Sequence, residues 1–435
     1  MLHTGTLSPS RSDRRLTVLL TIFFLAPLFT AAIPKLTWLF VVILAVALIL
    51  SVVRRIDDWR QLILPNPALI SFLLLAVYIG LNATWAAASG PAFAKAALFL
   101  AVTLITFAAN NAIGQLEGRY VHGAAVAFVA GASLGALFVF FELLTGGAVT
   151  RWAMNSIPLL QPHNLKHVTV AQGEVTRLRF ADLNRDVAIL GFNLWPALLV
   201  LRNFKERVSR VLLSSVFFLT TTMSIAISAH QSSQVGLIAG SVVFCLAKLW
   251  PRFTVKGIAA LWCLAFALVV PAAILAYKSD LNTAQWLPSS FRDRVAIWDD
   301  TAQRVIENPW LGIGARSTRF FRDSDQLPQE TINSVRSKAS AWHAHDLFLQ
   351  TWYELGLVGV ILIALGGAVV VLRIPLLSNE AQPFAAAAYT FFVAIAAFAW
   401  DMWQSWLICA MALTLLYLST AAMNLDPCKA RNRFG

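Results

Sequence analysis

Apolar and polar stretches alternate along the chain at the spacing typical of membrane-spanning helices. An α-helix needs about 20 mostly apolar residues to cross a bilayer, and several apolar runs reach that length. Hydropathy predicts twelve helices, at about 16–33, 36–53, 62–82, 92–113, 121–145, 184–201, 208–229, 233–250, 257–277, 346–372, 384–400 and 404–423. The pattern therefore predicts an all-α integral membrane protein in which residues 1–435 form a single polytopic membrane domain.

Basic residues in the short loops predict the orientation of these helices, because Lys and Arg accumulate on the cytoplasmic side. With the amino terminus inside, the inner segments include Arg54, Arg55 and Lys205, whereas the short outer turns hold almost no basic residues. Both termini are expected to be cytoplasmic, since the number of predicted spans is even. Two long segments then lie outside, 146–183 and, between helices 9 and 10, 278–345.

Composition supports the membrane assignment. Charged residues make up 13% of the chain, against about 25% in soluble globular proteins, and the mean hydropathy is +0.68. Arg11, Arg14 and Arg15 precede the first apolar stretch, as in a signal peptide. That stretch extends to about Ile33, beyond the ~7–15 apolar residues of a signal peptide, so we expect an uncleaved first helix.

The larger outer segment contains a stretch with helical periodicity. Loops of this length are uncommon unless they are functional, and this one includes FRDRVAIWDDTAQRVIENP, residues 291–309. One helical face of the stretch carries Phe291, Val295, Trp298, Ala302, Val305 and Ile306. We expect an amphipathic helix ending at Pro309 that lies on the outer membrane face, covers the ends of the helix bundle, or does both.

Arginines of the outer segments are candidates for binding an anion. Residues 278–345 hold nine basic and eight acidic residues, a net charge of +1, so an anion site there would depend on particular arginines. A guanidinium group matches phosphate oxygens with two parallel hydrogen bonds. The alternative is that most of these arginines are solvated or pair with acids such as Asp293 and Asp299.

His343 and His345 directly precede the tenth predicted helix, and three roles are open to them. A metal site is one, but no set of three or four ligands is evident, even with His163 and His167 four residues apart, and the four cysteines show no C-x-x-C spacing. A general base is the second, because a helix amino terminus disfavours imidazolium by about 0.3–1 kcal/mol. A structural role is the third. The negative charge of Asp346 would oppose the effect of the helix dipole on the imidazole, and an aspartate also suits the N-cap position of the helix.

Three motifs together resemble those of O-antigen ligases, within the superfamily that also includes O-antigen polymerases. His345, Asp346, nine further residues and then Gly-Leu-Val-Gly resemble the His and Gly-x-x-Gly signature, in which Asp346 replaces the usual Asn, Ser or Gln. RVAIWDDTAQRVIENPWLGIG, from Arg294, is similar to the Arg…Trp…Pro-Trp-Leu-Gly-x-Gly segment. RLRFADLNRDVAILGF, from Arg177, is similar to the Arg-rich entry into a mid-chain helix.

The resemblance implies a fold, a reaction and a location. The fold would be GT-C-like, with 146–183 as a first periplasmic segment and 278–345 as a large periplasmic loop. The reaction would move O-antigen from undecaprenyl diphosphate to a sugar hydroxyl of the lipid A–core oligosaccharide, without a metal or other cofactor. The protein would lie in the bacterial inner membrane among membrane lipids, with its active site on the periplasmic face and without a nucleic-acid partner.

The resemblance also implies roles for particular residues. His345 would take the proton from the acceptor hydroxyl, and Arg294 would stabilise the departing diphosphate together with Arg177 or Arg179. A single displacement would invert the anomeric centre. Further candidates are Arg316 and Arg319 for the diphosphate, and His343, Asp346 and Glu354 as supporting residues. Gly356 and Gly359 are expected to allow close packing.

Other functions remain open at this point. An O-antigen polymerase or a protein O-oligosaccharyltransferase would share the motifs, although the single dominant outer loop and the His motif favour a ligase. A lipid or solute transporter would also have about twelve helices. Transporters typically place paired charges or broken helices near the middle of the membrane, whereas the charges here concentrate in the outer segments.

Overall fold

The computed structural model describes residues 11–53, 62, 66–157, 168–178, 180–323 and 343–426. Nearly all of them are helical or connect helices. The α-helices of this part of the chain are α1 Arg11–Ala32, α2 Thr37–Val52, α3 Pro67–Asn82, α4 Ser89–Gln115, α5 Gly118–Thr145, α6 Ala148–Ser156, α7 Asn184–Arg202, α8 Arg207–Ile227, α9 Gln231–Leu249, α10 Pro251–Lys278, α11 Ser289–Glu307, α12 Ser317–Asp323, α13 Leu347–Leu372, α14 Gln382–Phe398 and α15 Ser405–Leu425.

The protein is a multi-pass membrane protein. A helix lies at each of the twelve predicted spans, and within the described residues nine helices are long and apolar enough to cross a membrane. Two more, α3 and α14, are apolar but have only 16 and 17 residues. Helix α7 meets neither description, because it combines charged residues at both ends with Asn193 and Pro196. The described residues thus contain nine candidate spans by length and composition, and the count of twelve stays a prediction.

A small antiparallel hairpin departs from the all-α prediction. Strands β1 Val168–Ala171 and β2 Glu174–Leu178 form it within the segment 146–183. Strand β2 is fixed to α6, because Asn155 exchanges hydrogen bonds of 2.8 and 3.2 Å with the backbone of Val175. Arg151 adds a hydrogen bond of 2.6 Å to the carbonyl oxygen of Thr176. The hairpin is therefore a small addition to a chain whose described residues are otherwise helical or connect helices.

The chain divides into two compact units. The first comprises residues 1–64, 105–237 and 409–435. Within it, α1 packs on α5 across Gly131, where an added Cβ would lie 1.9 Å from the carbonyl oxygen of Phe24. A glycine is needed at such a close approach of two helices. Phe128 stacks on Tyr417 with ring centroids 4.2 Å apart, which joins α5 to α15.

The second unit comprises residues 65–104 and 238–408. Helix α10 packs against both α11 and α13, and Trp262, Phe266 and Phe348 form an aromatic cluster between α10 and α13. The amphipathic helix predicted in 291–309 is confirmed as α11. Its buried face covers other helices of this unit, whereas Ile306, assigned to that face, is 58% exposed. Whether α11 also lies on a membrane, and whether the chain acts as one domain, stay predictions.

Candidate active site

Helix α13 begins directly after Asp346, and this aspartate caps it. Its Oδ1 accepts the backbone N–H of Leu349 at 3.0 Å, so the predicted N-cap is confirmed. Burial raises the pKa of the Asp346 carboxyl to about 7, although the N–H groups of Leu349 and Phe348 oppose that shift. Near neutral pH the cap is therefore partly protonated and carries less negative charge than an ordinary aspartate.

His345 is held through one ring nitrogen. Its Nδ1 lies 2.8 Å from the carbonyl oxygen of Ala399, and a carbonyl oxygen only accepts, so Nδ1 carries the proton and Nε2 keeps its lone pair. Burial lowers the pKa of this imidazole, although the hydrogen bond to Ala399 raises it. The charge of Arg294 lowers the pKa further and that of Asp401 raises it, with a net lowering. The ring is thus neutral at pH 7 and can accept a proton at Nε2.

His343 contacts both the ring and the backbone of His345. The two ring centroids are 3.9 Å apart, and the backbone N–H of His345 donates to His343 Nδ1 at 3.1 Å. Burial, the electrostatic interaction with the His345 ring, and the positive charges of Arg294 and Arg319 together lower the pKa of His343 to about 3. His345 itself has a φ of 53°. Such backbone costs on the order of 1–3 kcal/mol in a residue other than glycine and persists where the surroundings hold it.

Arg294 supplies a positive charge beside these histidines. It lies on α11, which is fixed to the histidine segment by a hydrogen bond of 2.9 Å from Trp298 Nε1 to the carbonyl oxygen of Ala344. Burial lowers the pKa of Arg294, but a guanidinium stays charged at neutral pH. Within the described residues Arg294 forms no salt bridge, so pairing with Asp293 or Asp299 does not occur. Its charge is available to an anion.

The connection between α14 and α15 supports His345 from the opposite side. It contains Ala399, whose carbonyl accepts from the imidazole, and Asp401, which is buried. The Asp401 carboxylate accepts from Gln350 Nε2 at 2.8 Å and from the backbone N–H of Trp403 at 3.0 Å. Because Gln350 lies on α13, these bonds tie the connection to the helix that His345 precedes.

Glu354, deep in α13, holds the segment that carries Arg316 and Arg319. Its buried carboxylate accepts the backbone N–H groups of Arg316 (3.0 Å) and Thr318 (3.2 Å) at the start of α12. The Trp403 indole N–H donates to the same carboxylate. Glu354 is therefore a satisfied buried carboxyl that fixes α12, one of the alternatives open from the sequence, and Arg319 on α12 acts electrostatically on His343.

Helix α13 is broken at Gly356, and the segment 309–314 fills the break. Gly356 has a φ of 63° and a ψ of −167°, and an added Cβ would lie 2.5 Å from the Trp310 carbonyl. The close approach expected at this glycine is thus made by a loop. Four backbone hydrogen bonds join the two segments: Ile313 N to Tyr353 O, Gly314 N to Glu354 O, Leu357 N to Pro309 O and Val358 N to Trp310 O, at 3.0, 3.0, 2.8 and 3.4 Å.

Side chains of α3 complete this junction. Tyr78 donates to the Leu355 carbonyl at 2.7 Å, and Asn82 donates to the carbonyls of Leu311 and Glu354 at 3.0 and 3.2 Å. The carbonyls of Glu354 and Leu355 belong to the last turn before the helix break, where carbonyl groups lose their usual helical partners. A broken helix is tolerated in a membrane protein when such groups are satisfied by neighbouring protein.

The described geometry does not test whether the remaining predicted residues lie near His345. Arg177 is exposed on β2, in the first unit. Arg179 lies outside the described residues, as do His163 and His167. Among the residues whose positions are described, no group of three or more His, Cys, Asp or Glu side chains could hold a metal ion. The metal-independent mechanism and the role of Arg177 or Arg179 stay predictions.

Sequence reasoning missed several residues that build the site. Ala399 acts through its carbonyl, which no sequence motif marks. Asp401 and Gln350 carried a signal, because polar residues buried beside apolar helices are usually bonded to one another. The same signal applied to Asn82, at the end of the apolar helix α3.

Comparison with known proteins points to one family. A family model described as Wzy_C, O-antigen ligase, matches residues 216–364. A protein of Rickettsia conorii named "Putative polysaccharide ligase" is 28% identical over 233 residues, which cover 52% of this chain and 54% of that protein. A Rickettsia typhi protein of the same description is 27% identical over 236 residues, covering 52% and 55%. The chain thus spans about half the length of the curated relatives it matches.

The family match coincides with the site just described. Residues 216–364 include Arg294, both histidines, Asp346 and the broken segment of α13. They do not include Arg177 or the Ala399 connection. The resemblance indicated by the motifs is confirmed to this extent: residues 216–364 match the family model described as Wzy_C, O-antigen ligase.

Proposed function

We propose that the protein is an O-antigen ligase, a glycosyltransferase that moves O-antigen from undecaprenyl diphosphate to a sugar hydroxyl of lipid A–core. The family domain and the names of the Rickettsia relatives support polysaccharide ligation. The observation that carries the chemistry is the His345 imidazole. Its Nδ1 is fixed by the Ala399 carbonyl, while Arg294 has no salt-bridge partner in the described residues.

The reaction is a single displacement. As the acceptor oxygen attacks the anomeric carbon, His345 Nε2 takes its proton, and the bond from that carbon to the diphosphate oxygen breaks. The diphosphate leaves with the bonding electron pair, and the anomeric centre inverts. A neutral imidazole with an available lone pair meets the requirement of the proton transfer, and the Ala399 hydrogen bond stabilises the imidazolium that forms.

Charge developing on the diphosphate is stabilised by arginines. Arg294 is the principal one, because it is partly desolvated and electrostatically coupled to both histidines. Electrostatic stabilisation of this kind is stronger where water is excluded. Arg177 or Arg179 joins it, and Arg316 and Arg319 near the start of α12 are additional phosphate contacts.

The proposal includes a location and a topology. Twelve spans in a GT-C-like arrangement place both termini in the cytoplasm and the site on the periplasmic face of the inner membrane. Support comes from helices at all twelve predicted positions and from the basic residues of the short inner loops. The histidines precede α13 on the side that this topology assigns to the periplasm, where lipid-linked donor and lipid A–core can meet.

The test is transfer by the purified protein. Donor and acceptor lipids extracted from the source bacterium are incubated with detergent-solubilised protein in a chelator, and products are followed by the mass of the acceptor. Glycan on lipid A–core supports the ligase, and the His345→Ala variant, a control for contaminating transferases, is expected to be inactive. Longer donor glycans without any product on the acceptor would indicate a polymerase. Glycan attached to protein would indicate an oligosaccharyltransferase. The absence of any product under all conditions would favour a transporter.

A further inference from the structure

The backbone of His345 adopts a conformation that needs an explanation. Its φ of 53° lies in the left-handed region, and the next residue is the extended N-cap of α13. The chain therefore turns at His345 immediately before the helix begins. Strained backbone of this kind concentrates at functional sites and must be held by its surroundings.

One contact holds the backbone of this turn directly. The His345 N–H donates to Nδ1 of His343, two residues earlier, at 3.1 Å. A side-chain acceptor bonded to the N–H two residues on is the arrangement of an Asx turn, which Asn or Asp normally makes. Here an imidazole makes it, and its ring also packs on the His345 ring, with centroids 3.9 Å apart.

We propose that His343 is a positioning residue that makes an Asx-like turn through Nδ1 and so aims His345 Nε2 at the acceptor hydroxyl. This inference rests on the proposed function. Two hydrogen bonds then position His345: His343 Nδ1 accepts from its backbone N–H, and the Ala399 carbonyl accepts from its ring Nδ1. Neither contact uses Nε2 of His345, which stays available for the proton transfer.

The state of the His343 ring agrees with this role. Nδ1 can accept an N–H only when it is unprotonated, so the neutral ring carries its proton on Nε2. Burial and nearby positive charge lower the pKa of His343 to about 3. The turn therefore stays intact at neutral and mildly acidic pH.

Substitutions at position 343 distinguish positioning from other roles. The Oδ1 atom of an asparagine at position 343 would lie close to the position of the histidine Nδ1. The side-chain amide of a glutamine would instead lie close to the position of the histidine Nε2. We expect His343→Asn to keep kcat within about threefold, and His343→Ala and the matched control His343→Gln to lower kcat by about 10–100-fold, since a misplacement near 1 Å has effects of that size. KM for donor and acceptor and the melting temperature should change little, because binding residues and fold are retained.

Defined outcomes would overturn the inference. Wild-type kcat in His343→Ala would show that the turn is unnecessary. If His343→Gln were active and His343→Asn inactive, the function of His343 would depend on its Nε2 atom. That result would indicate a direct contact between His343 and the substrate. A parallel fall of melting temperature and activity in every variant would indicate a purely structural residue.

A wild-type protein without transferase activity would instead refute the proposed function. The turn is then tested alone, by nuclear magnetic resonance of the protein labelled with 15N-histidine. The His345 amide proton should exchange slowly in wild type and His343→Asn, and faster in His343→Ala and His343→Gln. An exchange rate in His343→Ala equal to that of wild type would overturn the inference by itself.

Discussion

At the scale of single residues, one hydrogen bond decides what His345 can do. The Ala399 carbonyl accepts from Nδ1 and thereby selects the tautomer with an unprotonated Nε2. Burial and the charge of Arg294 both disfavour the imidazolium form. At any given pH the ring is therefore less protonated than a free histidine, and the neutral ring is the state a general base requires.

This environment predicts a pH dependence. Because the pKa of His345 is lowered, we expect the acid limb of the kcat/KM profile to fall below pH 6.5, the ordinary value for histidine. Steady-state kinetics from about pH 4.5 to pH 8 would cover both the protonated and the neutral form of His345. Asp346→Asn is the control, since asparagine keeps the capping oxygen but removes a carboxyl with a pKa of about 7. An acid limb with its midpoint at or above pH 6.5, or an acid limb that disappears in Asp346→Asn, would contradict the assignment of this limb to His345.

Replacement of Arg294 by lysine tests whether the site needs a guanidinium. Lysine keeps the charge but loses the planar pair of donors that matches phosphate. The loss of one charge-assisted hydrogen bond, worth about 1.5–3 kcal/mol, should lower kcat/KM by roughly 10–150-fold. Arg304→Lys on the same helix is the control, because Arg304 pairs with Asp300. Equal kcat/KM values for the two variants would remove Arg294 from the diphosphate site.

At the scale of secondary-structure elements, the interrupted helix α13 organises the site. The first part of α13 follows the histidines, and the break at Gly356 receives the segment 309–314, which connects α11 with α12. Arg294 precedes this segment and Arg316 and Arg319 follow it. The break thereby fixes the arginine-bearing helices relative to the histidines, which precede α13.

Gly356→Ala tests the interlocked break. Alanine disfavours a φ of 63°, and its Cβ would meet the Trp310 carbonyl at 2.5 Å, so we expect a loss of about 1–3 kcal/mol in stability. Thermal denaturation in detergent measures it as a lower melting temperature. Gly257→Ala in α10 is the matched control, because an added Cβ there meets nothing within 4 Å. If both variants melt at the wild-type temperature, the break does not constrain the fold.

Glu354→Gln tests the anchor of α12. Glu354 uses both carboxylate oxygens to accept N–H groups of Arg316, Thr318 and Trp403, whereas glutamine offers one oxygen and adds two donors. A buried N–H left without an acceptor costs about 1–3 kcal/mol, so we expect a lower melting temperature and weaker donor binding. Glu307→Gln, at the exposed end of α11, should behave as wild type. Unchanged melting and KM in Glu354→Gln would refute the anchoring role.

At the scale of the whole molecule, the sequence predicts what depends on local pattern and misses what depends on distant contacts. The helices follow from apolar runs, and the capping role of Asp346 from its place before one. The break at Gly356 was not predicted, because the hydrogen bonds that satisfy it come from residues 309–314 and from α3. The Ala399 contact was missed for the same reason, since residue 399 follows His345 by more than fifty positions. The motif resemblance, and not composition, selected His345 over His343.

The distribution of basic residues along the whole chain predicts the membrane topology. If both termini are cytoplasmic, the exposed residue Asp280 lies outside and the exposed residue Lys205 lies inside. Single cysteines at these positions, in a chain whose four native cysteines are replaced by serine, can be labelled in spheroplasts with a membrane-impermeant maleimide. We expect labelling of Asp280→Cys in intact spheroplasts and of Lys205→Cys only after permeabilisation. The reverse pattern would put the histidine site in the cytoplasm, where it could not receive a donor presented on the periplasmic face.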